Sequence, residues 1–138
     1  MIIVIITIKN KGVILMEVVK RFSKQRATVL SELSKVTCHP TADEVYEMTR
    51  KIIPNISLGT VYRNLNNLEE EGKVLKFVIG GKEHFDANIT PHIHLCCENC
   101  GEIKDVFDEA ASIQSEIKKI NSFKINNIII NGVCNECC

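Results

Sequence analysis

Seven cysteines and four histidines are the residues of this 138-residue chain best able to hold a soft or borderline metal ion. Five of them fall within residues 91–101, PHIHLCCENCG, and the chain closes on GVCNECC. Cys97-Glu98-Asn99-Cys100 and Cys134-Asn135-Glu136-Cys137 are each a C-x2-C unit, a spacing that lets one turn offer two thiolates to one ion. Four thiolates suit Zn²⁺, a borderline-soft ion with no directional preference beyond packing four ligands around itself. The competing use of such a unit is a redox pair, but neither pair sits in a βαβ context. Zinc on Cys97, Cys100, Cys134 and Cys137 would staple a strand turn to the end of the chain, closing a loop too small to hold itself by burial. Cys96 should point away from Cys97 if one strand carries both, and Cys138 adjoins the fourth ligand and competes with it.

The histidines raise a second metal. In an extended strand alternate side chains share a face, so His92 and His94 project together while Ile93 and Leu95 take the other side. Two imidazoles alone could equally be hydrogen-bonded surface groups. Asp86 just upstream and Asp105 just beyond the cysteine turn add carboxylates, and with His39 the set reaches three nitrogens and two carboxylates. Such a mixed set suits Fe²⁺ or Mn²⁺, although Zn²⁺ would also bind it tightly. His39 lies far away in sequence. If it joins the others, the ion ties two halves of the chain together and its occupancy sets their relative angle, because full affinity exists only in the arrangement that assembles every ligand.

Elements able to position these groups can be read along the chain. Ser23 is placed to cap a helix with Ala27, Leu30 and Leu33 on one face. Thr41, with Glu44 three residues on, forms the capping-box pattern for a second helix, whose stripe is Val45, Met48 and Ile52 and whose stop is Pro54. A third helix runs from a Ser57 cap through Leu58, Val61, Leu65 and Leu68 to Gly72, a left-handed C-terminal residue. Its other face carries Thr60, Arg63, Asn64 and Asn67, with Tyr62 beside them: groups that can meet base edges and phosphates, while the acidic run waits at the far end. KVLKFVIGGKEHFD then reads as two strands joined around Gly80 and Gly81. Three helices and a hairpin make a winged helix-turn-helix with candidate DNA contacts at Ser57, Thr60, Tyr62, Arg63 and Asn64; a protein-binding unit is the alternative. Further on, a helix near 109–120, with Ile113, Ile117 and Ile120 on one stripe, and a strand through 123–130 complete the expectation.

Composition agrees with a globular protein: 45% apolar, 25% charged, and only 5% aromatic, which leaves little stacking surface for single-stranded nucleic acid. The net charge is zero, yet residues 1–80 carry 12 Lys and Arg against 8 Asp and Glu, while residues 81–138 carry 5 against 9. The basic half can meet phosphates and the acidic half can gather cations. The opening MIIVIITI is apolar but lacks a basic n-region and a cleavage site, and Lys9 interrupts it well short of the roughly 18–20 residues that span a bilayer. A β-rich segment or a disordered extension is expected there, with Met16 a possible true start. Thiols without a leader point to metal or redox work in the cytoplasm.

Taken together, HPTADEVY, NISLGTVYRNLNNLEEEGKV, HFD, PHIHLCCENCGEIKD and GVCNEC resemble the ferric uptake regulator superfamily, most closely its peroxide-sensing repressor branch, over residues 18–138. The resemblance implies an α+β protein: a winged-helix DNA-binding domain, set here at residues 16–86, and a small α/β dimerisation and metal domain at 87–138. It implies a homodimer on double-stranded DNA with a palindromic operator, and a regulator, not an enzyme. It matches Cys97, Cys100, Cys134 and Cys137 to structural Zn²⁺ ligands and His39, Asp86, His92, His94 and Asp105 to a regulatory Fe²⁺ or Mn²⁺ set. Aspartate at 86, where iron-uptake regulators commonly carry glutamate, points to the peroxide branch, in which bound Fe²⁺ leads to oxidation of histidines matching His39 and His92. The alternatives are a regulator of iron, manganese or zinc uptake without peroxide sensing, and a small metal-dependent redox protein. Two departures stand out. Only about seven residues separate Met16 from Ser23 where the family carries another helix, the segment before Met16 reads as a poor helix, and Lys24 replaces the commoner proline. Beyond His84 no histidine is left for a third metal site.

Overall fold

The computed structural model describes residues 12–120 and 122–138, with backbone alone for residues 12–20 and 22. The apolar opening at residues 1–8, expected to be β-rich or disordered, lies outside the described residues. Elements follow in the order α1 (Gly12–Ser34), α2 (Ala42–Thr49), α3 (Leu58–Glu70), β1 (Leu75–Ile79), β2 (Lys82–Asp86), β3 (Ile93–Cys97), β4 (Ile103–Val106), α4 (Ala110–Ile120) and β5 (Ile128–Gly132). The first five form a winged-helix-like unit. The last four form a β-rich unit that carries the four C-x2-C cysteines, so the class is α+β.

Helix α1 departs from expectation twice. Ser23 does not cap it; one continuous helix of 23 residues runs through Met16 and Ser23 from Gly12. Lys24 is the reason within the sequence: it retains the N–H and avoids the ring clash with which a proline would break the ladder. Among its described side chains Gln25, Val29 and Leu33 are buried, whereas Ala27 is exposed and Leu30 half-buried. A four-residue step advances about 40° around a helix and a three-residue step falls back about 60°. Both patterns make a stripe, and packing against α2 and α3 selects the first.

Helix α2 starts as expected. The Thr41 N–H donates to Glu44 Oε2 at 2.7 Å and the Glu44 N–H returns to Thr41 Oγ1 at 3.5 Å. It ends early, with Arg50 as its cap, so Ile52 falls beyond it and is exposed rather than part of the stripe. In α3 the Thr60 N–H donates to Ser57 Oγ at 3.1 Å, and at the other end Gly72, φ +69°, lets the Lys73 N–H reach the Leu68 carbonyl and its own N–H reach that of Glu69. That pair of bonds satisfies two carbonyls the helix would otherwise leave open. Val29, Leu33, Val45, Ile56, Val61, Leu65, Leu68, Val74 and Phe85 close the core of this unit. Each such side chain contributes about 1.5–3 kcal/mol by leaving water.

The wing is the antiparallel hairpin β1–β2, turned by Gly80 and Gly81 with φ of +57° and +77° at the two central positions, as a two-residue type I′ turn requires. Strand β2 is tied to the segment before α2: the Phe85 N–H donates to the Pro40 carbonyl at 3.0 Å, and Thr41 bridges to His84. In the second unit the strand order is β4-β3-β5, antiparallel on one side of β3 and parallel on the other. Strand β5 begins at Ile128, not 123, since its pairing can start only opposite Ile93, the first residue of β3. The Asn127 side chain just before it donates instead to the Lys76 carbonyl on the wing at 3.1 Å. Helix α4 occupies its expected span, with Ile113 and Ile117 half-buried but Ile120 exposed. Among the described residues no helix is long and apolar enough to cross a membrane.

Candidate metal centres and nucleic-acid interface

The four C-x2-C thiols converge. Cys97 ends β3, Cys100 follows in the turn, and the parallel pairing of Cys97 with Gly132 brings Cys134 and Cys137 alongside. The four sulfurs lie within 4.8 Å of one another. Cys100 Sγ stands 3.8 Å from Cys134 Sγ, the edge of a tetrahedron about 2.3 Å from its centre to each corner, which is the Zn–S length. Backbone N–H groups aim at the sulfur as well: Cys134 N lies 3.3 Å from Cys97 Sγ. N–H groups of Cys100 and Cys134 lower the Cys97 thiol to about 6, while the neighbouring sulfurs of Cys134 and Cys100 push Cys137 up to about 12. Four thiolates thus repel one another, and a divalent cation at their centre removes that conflict. Cys96 is buried, 3% exposed, and burial raises its thiol, so it stands apart from this set as its strand position implied. Cys138 is exposed and its Sγ lies near the Val133 carbonyl.

The second cluster draws on four parts of the fold. His94 comes from β3 and His92 from the residue just before it, Asp105 from β4 directly across from His94, Asp86 from the end of β2, and His39 from the turn before α2. His39, His92 and His94 are buried, Asp86 is 7% exposed, and Asp105 is half-buried. Their donor atoms crowd one point. His39 Nε2 is 2.9 Å from Asp105 Oδ1 and 3.4 Å from Asp86 Oδ2; His92 Nε2 is 3.0 Å from Asp86 Oδ2 and 2.9 Å from His94 Nε2. An ion with ligands about 2.1 Å away at right angles sets neighbouring donors about 3 Å apart, so these spacings fit one cation.

The outward bonds aim the donors inward. His92 Nδ1 lies 2.6 Å from the Thr90 carbonyl, which can only accept, so the proton sits on Nδ1 and the Nε2 lone pair faces the centre. Asp86 Oδ1 accepts from the Asn88 N–H at 2.8 Å, leaving Oδ2 for the centre. Buried Asp86 Oδ2, Asp105 Oδ1 and His39 Nε2 all lack a hydrogen-bonding partner. Lone pair facing lone pair in a buried site is costly unless a cation sits between them. Burial would lower the His39 imidazole, but Asp86 and Asp105 outweigh it and hold its affinity for a proton above the ordinary histidine value. Burial would likewise raise Asp86, yet His39, His94 and the Asn88 N–H hold its carboxyl well below the usual carboxylate range. Both shifts report a site that favours positive charge.

The third helix presents only part of its expected polar face. Arg63 and Ser57 are exposed and Thr60 is half-exposed, its hydroxyl 2.8 Å from that of Ser57. Tyr62 packs against the core with its ring, and burial together with Asp43 raises its hydroxyl. Asn64 is a correction: it is 2% exposed, on the face of Val61, Leu65 and Leu68, and cannot reach DNA from there. The spacing held the signal, for 64 lies three residues after Val61 and four before Leu68, inside the apolar stripe.

Two residues of this region escaped sequence reasoning. Phe77 of β1 packs its ring 4.1 Å from that of His94, and His84 of β2 reaches the backbone of His39. His84 alternates with Asp86 along β2 and so shares its face, which is the one sequence signal for it. The backbone of His39 itself adopts φ +52°, the sole positive value outside glycine among the described residues, and no pattern forecast it.

The model of the ferric uptake regulator family matches residues 17–132. The peroxide operon regulator of Bacillus subtilis is 34% identical over 135 residues, covering 95% of this chain and 88% of that protein. The peroxide-responsive repressor PerR of Staphylococcus aureus is 35% identical over 121 residues, 85% of this chain and 82% of its own length. Among solved structures, the Campylobacter jejuni peroxide stress regulator superposes with a TM-score of 0.77 at 34% identity, covering 90% of this chain and 96% of that one.

Proposed function

Because this chain belongs to the ferric uptake regulator family, we propose that it is a metal-dependent repressor that leaves its operator when peroxide oxidises the His39 centre. It is a metal-dependent regulator related to the peroxide-responsive repressors, in a family of transcriptional regulators and not of enzymes. The observation that carries the mechanism is the place of His39. It comes from the winged-helix unit, yet its Nε2 lies 2.9 Å from Asp105 of the β-rich unit. An ion there binds the two units in one arrangement, and that arrangement alone offers the full ligand set.

In this reading Zn²⁺ fills the tetrathiolate cluster, and Fe²⁺ or Mn²⁺ is held by His39, Asp86, His92, His94 and Asp105. Fe²⁺ held by these residues would supply the electron for reductive cleavage of peroxide beside the imidazoles, whereas Mn²⁺ held by the same residues would resist that chemistry. His39 and His92 are the residues oxidised. Loss of either as a ligand weakens the hold of the ion and, with it, the fixed angle of the winged-helix unit. Residues 16–86 serve as the DNA-binding domain and residues 87–138 as the dimerisation domain. Two copies place their α3 helices in successive major grooves of a palindromic operator, with Ser57, Thr60, Tyr62 and Arg63 at the DNA. The protein works in the cytoplasm, where its seven cysteines, all free of disulfides, stay reduced.

The test is operator binding by zinc-loaded protein given Fe²⁺ or Mn²⁺, before and after peroxide, with peptide masses recorded. The Fe²⁺ form is expected to release DNA with oxygen added to the peptides of His39 or His92, and the Mn²⁺ form to stay bound. Equal persistence of both forms would return the protein to metal-uptake regulation without peroxide sensing.

A further inference from the structure

His84 is the one histidine outside both clusters, and it touches a ligand. His39 holds φ +52°, a conformation that side chains with a Cβ adopt at a cost, so its surroundings must impose it. The wing supplies those surroundings. Phe85 N–H donates to the Pro40 carbonyl at 3.0 Å, on one side of the strained residue, and His84 Nδ1 lies 2.7 Å from the carbonyl oxygen of His39 itself. A carbonyl only accepts, so Nδ1 carries the proton and donates. The half-buried His84 ring is then braced against Phe77, with centroids 6.1 Å apart and planes 18° from parallel. Phe77 is 4% exposed and packs onto His94 at 4.1 Å and edge-on to His39 at 5.8 Å.

We infer that His84 is a positioning residue of the regulatory centre: its Nδ1–H, braced on Phe77, fixes the left-handed turn that aims His39 Nε2 at Asp86 and Asp105. The inference rests on the reading that this cluster holds a divalent ion. His84 is not itself a ligand: the donor atoms that converge are those of His39, Asp86, His92, His94 and Asp105, and its own are not among them. The consequence is that the wing takes part in metal control through three residues, Asp86 as ligand, His84 as prop and Phe77 as brace. A bond that orients a ligand acts on ion affinity, whereas a bond that merely holds the fold acts equally with and without the ion.

The experiment is a Mn²⁺ titration of zinc-loaded, full-length protein at pH 7.5, comparing wild type, His84→Phe and His84→Asn, with thermal midpoints taken before Mn²⁺ is added. Phenylalanine keeps a ring against Phe77 and deletes the N–H; asparagine places an amide N–H near the position of Nδ1. His84→Phe is expected to weaken Mn²⁺ binding about fivefold, the net worth of one hydrogen bond, with a thermal midpoint close to wild type. His84→Asn is expected to recover most of that loss. Wild-type affinity in His84→Phe, or a deficit in His84→Asn as large as in His84→Phe, would overturn the inference while leaving the metal centre in place. Wild-type protein that takes up no ion beyond its zinc would overturn the reading of the cluster, and this inference with it.

Discussion

Replacing His39 with alanine removes the one side chain that the winged-helix turn before α2 contributes to the His/Asp cluster. Its Nε2 sits 2.9 Å from Asp105 Oδ1 and 3.4 Å from Asp86 Oδ2, in a site where the imidazole is 2% exposed. The bond that this nitrogen would make to a divalent ion is at least as strong as a charge-assisted hydrogen bond, itself worth about 1.5–3 kcal/mol, and water entering the vacated space recovers part of it. A net loss of about 3 kcal/mol corresponds to roughly 100-fold in Kd for the ion. Calorimetric titration of Mn²⁺ into zinc-loaded protein measures this directly, with zinc counted by mass spectrometry and operator binding followed by fluorescence anisotropy at fixed salt. The expected result is a Mn²⁺ Kd raised about 100-fold, zinc retained, and DNA affinity in the presence of limiting Mn²⁺ reduced to that of the ion-free protein. A Kd within about threefold of wild type would refute the reasoning, and so would loss of the zinc, which would show that the two centres are not independent.

Other perturbations separate the remaining parts. Cys97→Ser removes a sulfur that accepts from the Cys134 N–H, and it should abolish zinc uptake and lower the thermal midpoint by roughly 10 °C or more; a zinc-loaded variant melting as wild type would remove the structural role. Asp86→Glu displaces the carboxylate and breaks the bond in which Oδ1 accepts from the Asn88 N–H, so DNA release by the Fe²⁺ form should slow about tenfold or more under peroxide, given how steeply reactions depend on placement. Equal release rates would remove the basis for tying peroxide sensing to that aspartate. Arg63→Ala should weaken operator binding and make the salt dependence shallower by about one charge; identical binding curves across salt would move Arg63 off the interface. Thr41→Ala should destabilise the fold by about 1 kcal/mol through loss of the α2 cap, as read by urea unfolding, and an unchanged midpoint would show that the capping box adds nothing in this context.

Local chemistry made much of this legible. The α2 capping box, the Ser57 cap, the Gly72 stop and the Gly80-Gly81 turn each depend on a few neighbouring residues, and the structure holds all four. The members of both metal-binding clusters are legible from residue type and strand alternation, because such side chains are few and each group brings its own spacing. What escaped depends on packing between distant segments. Whether α1 buries the stripe through Ala27 or the one through Gln25 and Val29 is decided by α2 and α3, and the polar buried residue Gln25 hides the second stripe from a search for apolar side chains. Asn64 misled for the same reason: a polar residue inside an apolar stripe reads as surface. The His39 backbone and its contact with His84 join positions 45 apart in sequence, and neither residue's neighbours announce the other. Phe123 and Ile125 look like strand residues, yet the start of β5 depends on where β3 begins, at Ile93 opposite Ile128.

The central claim is that an imidazole from the DNA-reading half shares its ion with ligands from the other half. Pulsed electron–nuclear resonance on Mn²⁺-loaded protein, with ¹⁵N-labelled histidine, counts the coordinated imidazole nitrogens. The account predicts three in the wild type and two in His39→Ala. Two in both proteins would place His39 outside the coordination sphere and leave Asp86 as the winged-helix unit's one link to the ion.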